Sequence, residues 1–123
     1  MNQDLKQFYG SEQFYKHGII RSLIYTEGVK YLAETYSTYW FIDIVASYIS
    51  EVFKENKKSG DTMQIVGITV NGDHTAHFYI KHDTYTREFI QQDLLYADLP
   101  MGTYEFYLNW NGNGYTLLLK SEN

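Results

Sequence analysis

Apolar positions recur along this chain at two spacings, and the change from one to the other falls near residue 62. Before it, Val29, Leu32, Ala33 and Tyr36 follow one another at helical intervals behind Thr26, which stands in N-cap position, and Glu27 suits the positive end of a helix. A short helix is predicted from Thr26 to Tyr36. A second is predicted from Ser37 to Lys54, closed by the polar run KENKKSGD. At about 100° per residue, Asp43, Ser47, Ser50, Glu51 and Lys54 share one narrow arc of this helix, and Phe41, Val45, Tyr48, Ile49 and Val52 point the other way. The first 25 residues carry an aromatic echo, QFYGSEQFY, and the apolar run GIIRSLIY, and read as an irregular or short-helical arm packed on the domain.

After Thr62 the period drops to two and short runs alternate with turn signals. The dipeptide Asn71-Gly72, between TMQIVGITV and DHTAHFYIKH, predicts a tight hairpin with a type I′ turn, which needs positive φ at both central residues. TYTREFIQQ reads as a further strand and DLLYADLPMG as a connection. A second hairpin, TYEFYLNW with YTLLLK, crosses Asn111-Gly112-Asn113-Gly114. Tyr104, Phe106, Leu108 and Trp110 alternate onto one face, as do Ala76, Phe78 and Ile80. His77, Tyr79, Lys81, Tyr107 and Asn109 fall on the other. The expected fold is α+β, with two N-terminal helices packed on one face of a mainly antiparallel sheet of about five strands. Residues 1–123 read as a single domain, with 1–25 the arm, 26–54 the helices and 62–120 the sheet.

Composition adjusts this picture in three ways. The chain is 44% hydrophobic and 20% charged, with one proline, which is the composition of a domain that folds alone. It has no cysteine, which removes disulfides and thiolate chemistry and suits a reducing, cytoplasmic setting. A net charge of -5 argues against direct nucleic-acid binding, because counterion release needs clustered Lys and Arg. The opening MNQDLKQFYG lacks a basic start followed by an apolar run, and no window approaches the apolar stretch of about 18 residues that a membrane span requires. No membrane partner is expected. With 13 Tyr, seven Phe and two Trp, some tyrosines must reach the surface.

The segment DHTAHFYIKHD invites a metal reading, but in a strand His74 and His77 lie on opposite faces, and His74 and His82 stand about 26 Å apart. Neither a metal site nor another cofactor is predicted, and His17 is remote in sequence. The run NGNG joins two strands and has no lysine after it, so it is a turn and not a phosphate loop. Acidic residues are plentiful, but no pair is fixed across a cleft, and Ser22, Ser47 and Ser50 lack a nucleophile-elbow context. The remaining constellation lies on the second predicted helix, where Tyr39 and Trp40 precede Asp43 and Ser47 follows it on neighbouring turns. An aromatic pair beside a carboxylate resembles the centre of a recognition patch. The plainer reading is that Asp43 accepts a bond from Trp40, Tyr39 or a backbone N–H. Tyr39, Trp40, Asp43, Ser47, Tyr79 and Tyr107 are therefore the candidate binding residues, and no catalytic residue is assigned.

The stretches LIYTEGVKYLAE, YWFIDIVASY and LLLKSE, in this order, resemble a small uncharacterised bacterial and phage family, a domain of unknown function with a Tyr-Trp-x-x-Asp-x-x-Ala-Ser-Tyr core. The matched positions are Trp40, Asp43, Ala46, Ser47 and Tyr48. The resemblance implies a single small domain, often in phage or mobile-element settings, with no assigned activity. The expectation is a non-enzymatic acidic binding protein that contacts a host protein, as an inhibitor of host defence of the anti-CRISPR kind does. The alternative is a small enzyme or ligand-binding domain using Asp43 with neighbouring Tyr and Ser. The sequence is silent on oligomeric state.

Overall fold

The computed structural model describes residues 13–122. It corrects the expected architecture. Among the described residues, two short strands, β1 (Phe14–Lys16) and β2 (Leu23–Thr26), precede three helices, α1 (Glu27–Tyr36), α2 (Tyr39–Ser47) and α3 (Ile49–Ser59). Five more strands follow: β3 (Met63–Val70), β4 (Ala76–Lys81), β5 (Glu88–Leu94), β6 (Gly102–Trp110) and β7 (Tyr115–Leu119), with a 3-10 turn at Lys120–Glu122. All seven strands form one mixed sheet in the order β1-β2-β7-β6-β3-β4-β5. The helices thus lie in the middle of the chain. The part of the predicted arm that is described is strand, and Phe8 and Tyr9 of the echo fall outside the described residues.

Local chemistry accounts for the helix boundaries. The Thr26 hydroxyl caps α1 by accepting from the Val29 N–H at 3.4 Å, and Ser37 ends it in the left-handed region at φ 55°. The predicted second helix breaks into two at Tyr48, where φ is -102° and ψ is 0°. Just before the break the Ser47 hydroxyl donates to the Ile44 carbonyl at 2.6 Å, the kind of serine back-bond that bends a helix. Asp43, Ser47, Ser50, Glu51 and Lys54 are all exposed, whereas Phe41, Val45, Ile49 and Val52 are buried. That buried side packs on one face of the sheet, where the Phe41 ring lies 4.9 Å from Phe106 and 5.8 Å from Phe78, and Tyr48 stacks on Phe78 at 5.9 Å. Truncating a core ring of this kind costs about 3–5 kcal/mol.

The first hairpin forms, but not with the type I′ turn that Asn71-Gly72 suggests. Its loop spans three residues between Asn71 and Thr75, the Asn71 carbonyl accepts from the His74 N–H at 3.0 Å, and the positive φ of 66° falls on His74. Asp73 supports this longer loop by accepting from the Thr75 N–H at 3.0 Å and hydroxyl at 2.6 Å. A three-residue loop with a left-handed last residue is the next commonest hairpin connection, so the side-chain bonds of Asp73 outweigh the Asn-Gly preference.

The pairing of β2 with β7 is parallel, Leu23 opposite Tyr115 and Tyr25 opposite Leu117, and it joins the two ends of the described chain. Glu122 seals it. Its side chain is buried, and Oε1 accepts from the Thr26 hydroxyl at 2.5 Å and the Leu119 N–H at 2.9 Å, while Oε2 accepts from the Gly28 N–H at 3.1 Å in the first turn of α1. Only a glycine admits this approach, because a Cβ at Gly28 would meet Leu119 at 2.6 Å and Glu122 at 2.8 Å. A second buried polar group spans α3, β3 and β7: the Asn56 and Gln64 amides bond each other twice, and Asn56 also bonds the Tyr115 hydroxyl at 2.6 Å.

Replacing Glu122 by Ala leaves three buried donors without their acceptor, and the expected loss of stability is about 2–3 kcal/mol. Urea denaturation checks this, and a change below about 0.5 kcal/mol, the size of an ordinary surface substitution, contradicts it.

Candidate functional site

Tyr39 and Asp43, one turn apart at the start of α2, face a depression of about 270 Å³ whose other walls are His17, Ile19, Tyr25 and Ile42. The loop between β1 and β2 brings His17 there. Its Nδ1 accepts from the Ile20 N–H at 2.9 Å and the Ile19 N–H at 3.2 Å, so the ring hydrogen sits on Nε2 and donates to Asp43 Oδ1 at 2.7 Å. The histidine is itself largely buried, whereas the Asp43 side chain is 69% exposed. Asp43 therefore takes its bond from His17, not from Trp40, Tyr39 or a backbone N–H, and its other oxygen accepts no hydrogen bond from a described residue. Beside it, burial raises the Tyr25 hydroxyl above its ordinary value, with Tyr39 and Asp43 adding to the effect.

The remaining candidates lie elsewhere. Trp40 is half-buried and packs at the core edge, its ring meeting Phe41 edge-on at 6.4 Å. Ser47 spends its hydroxyl inside its own helix. Tyr79 and Tyr107 are on the face of the sheet opposite the three described helices. The missed member is His17. Its remoteness in sequence hides it, and the one local signal is a histidine followed by glycine before an apolar run, which is too weak to place the ring.

A family model matches residues 1–123 of this chain. The chain belongs to the family of unknown function DUF6876. No curated protein and no solved structure matches it.

The sheet face of this DUF6876 member opposite the described helices carries a second cluster. The Tyr79 ring crosses Gly67, where a Cβ would meet it at 2.2 Å, and its hydroxyl donates to Glu105 Oε2 at 2.5 Å. Lys120 bonds Glu105 Oε1 at 2.7 Å, and Lys81 stands 3.9 Å from Oε2. Burial, then the bond to Glu105, pushes the Tyr79 hydroxyl far above its ordinary value. Burial alone would raise Glu105, but the bonds from Lys120 and Tyr79 and the charge of Lys81 hold it below the ordinary carboxylate range. Lys120 also lies over the Tyr107 ring, 5.7 Å from its centre.

Nearer the β5 edge, His77 sits between two carboxylates, Nδ1 at 2.8 Å from Asp93 and Nε2 at 2.7 Å from Glu88. His82 is placed similarly, its Nε2 at 3.0 Å from Glu55 and its Nδ1 2.9 Å from Asp61, the latter off the direction of a hydrogen bond. Neither set meets the geometry of a metal centre: among the described residues no three His, Cys, Asp or Glu are grouped to hold an ion. No described helix is long and apolar enough to cross a membrane.

Two outcomes are expected. His17→Ala, which frees the Ile19 and Ile20 amides and the Asp43 bond, costs about 1–2 kcal/mol, whereas Asp43→Asn at the exposed end of the pair costs under about 1 kcal/mol. Thermal melts of the two variants compare them directly, and equal losses count against the arrangement. The bonds to Asp93 and Glu88 raise the His77 pKa above its ordinary 6.5. A raised folded-state value stabilises fully below the unfolded value and is lost as pH climbs through the folded one. The melting temperature of the native chain therefore falls, relative to His77→Gln, as pH rises above about 6.5. Parallel profiles for the two proteins contradict this.

Proposed function

We propose that this protein is a non-catalytic recognition domain and that the His17–Asp43 depression receives a basic side chain of a partner protein. The observation that carries the reading is the half-committed carboxylate. His17 fixes Asp43 through one oxygen and leaves the other on a depression walled by Ile19, Ile42, Tyr25 and Tyr39. An arginine or lysine side chain suits such a place, since its stem packs on apolar walls, its charge meets the acid, and tyrosine faces attract cations.

Two features favour binding over catalysis. Both His17 ring nitrogens are occupied, one by backbone amides and one by Asp43, so this ring is not poised as a general base. The hydroxyl of Ser47, the serine nearest in the expected constellation, is held by the Ile44 carbonyl. Within this reading the partner is a host protein and the domain an inhibitor carried by a phage or other mobile element. Small size, a charge of -5 and the family resemblance support that setting.

The test is a titration of the ¹⁵N-labelled protein with N-acetyl-arginine amide, followed by capture of host proteins on the immobilised chain. Amide shifts confined to residues 17–25 and 39–43 are expected, with affinity falling about tenfold or more in Asp43→Asn while the fold is kept. Equal capture of the same partner by the native chain and by an Asp43→Asn, Tyr39→Ala double variant would reject the site.

A further inference from the structure

The loop that carries His17 has another side. Where β1 and this loop meet the turn between β6 and β7, a depression of about 200 Å³ is walled by Lys16, Arg21, Ser22, Ile24, Asn111 and Asn113. Lys16 projects from β1 and Ile24 from its partner in the ladder, while Arg21 and Ser22 close the loop. In a chain of net charge -5, two cationic residues line this one depression. Among the described residues neither is within ion-pair distance of a carboxylate, unlike Lys81 and Lys120, which both reach Glu105.

The other polar groups point to the same ligand chemistry. Asn111 spends its side-chain oxygen on the Asn113 and Gly114 N–H groups, both at 2.9 Å, which leaves its NH₂ to donate. The Ser22 carbonyl is taken by the Tyr115 N–H at 2.7 Å. Among the described residues, the donors on the wall without a hydrogen-bond partner are the Lys16 ammonium, the Arg21 guanidinium, the Asn111 and Asn113 NH₂ groups and the Ser22 hydroxyl, against one free side-chain acceptor, the Asn113 oxygen.

The frame behind them is already ordered. His17 N–H bonds the Leu23 carbonyl at 2.9 Å, Leu23 N–H the Ile20 carbonyl at 3.0 Å, and Asn111 N–H the Gly114 carbonyl at 3.0 Å. Binding an anion there requires little rearrangement of backbone.

We propose that this depression binds the phosphoryl group of a small phosphorylated molecule. Two positive charges match a dianion, and a guanidinium offers paired donors to neighbouring phosphate oxygens. A volume of about 200 Å³ is below the range of drug-sized pockets, so it takes the tetrahedral group and a few attached atoms. A nucleic-acid backbone would need a track of such cations, and here there is one cluster. The site shares no lining residue with the Asp43 depression.

The test uses the ¹⁵N-labelled full chain titrated with inorganic phosphate, with sodium chloride at matched ionic strength as the control. Saturable shifts at Ser22, Asn111, Asn113 and Gly114 are expected at millimolar phosphate and not with chloride. A Lys16→Gln, Arg21→Gln double variant should weaken binding more than about tenfold. Asn113→Asp, a change in an exposed turn that places an acid in the wall, should abolish it. Shifts that chloride reproduces, or that survive in both variants, overturn the proposal, as does the absence of saturable shifts in the native chain.

Discussion

The buried carboxylate of Glu122 is the interaction on which the rest of this structure depends. A lone carboxylate taken from water is expensive, and here three donors and the positive end of α1 offset that cost. The donors come from β2, α1 and β7, so the same charge that needs them also holds the parallel pair β2–β7 together with the helix that follows β2. Among the described strands β1 is bonded only to β2, and the loop between them forms a wall of both depressions. Both depressions therefore rest on a contact between the beginning and end of the described chain.

The two faces of the sheet are stabilised differently. One is covered by helices and packed with aromatic rings. The other carries none of the described helices, yet Ile65, Tyr79 and Leu118 on it are buried. On this face Lys120 and Lys81 reach inward to Glu105, Lys81 stands 5.3 Å from the centre of the Tyr79 ring, and Tyr79 lies over Gly67. Stems of this kind shield apolar surface while their charged ends stay near water. Pairing also explains the histidines, since His17, His77 and His82 each hold carboxylates from a different element and so act as ties between loop and helix, strand and strand, or hairpin and helix.

Asp43 shows how one residue serves both structure and surface. Its place on the exposed arc of the helix follows from the 3.6-residue period and holds in the structure. Its partner does not follow from any period, because His17 arrives from a loop on a different part of the chain. The cluster of Tyr39, Trp40, Asp43 and Ser47 consequently divides. Tyr39 and Asp43 remain with the depression, Trp40 turns to the core, and Ser47 bends its own helix.

The sequence by itself determined what depends on neighbours a few residues away: the Thr26 cap, the buried and exposed sides of the helices, the alternation along β4 and β6, and the two hairpins that join consecutive strands. Tertiary structure decided what depends on distant partners. β1 and β2 are three and four residues long, too short for a period to show, and become strands because β7 offers β2 an edge. The turn at Asn71-Gly72 gave way to a longer loop once Asp73 and Thr75 were bonded to each other and His74 to Ala97 on the following connection. His17 meets Asp43, and Lys16 and Arg21 share a depression with Asn111, only because the sheet joins β1 and β2 to the strands at the far end of the described chain. Contacts of that separation leave no periodic trace in a single sequence, since no local pattern encodes which strand will become a neighbour.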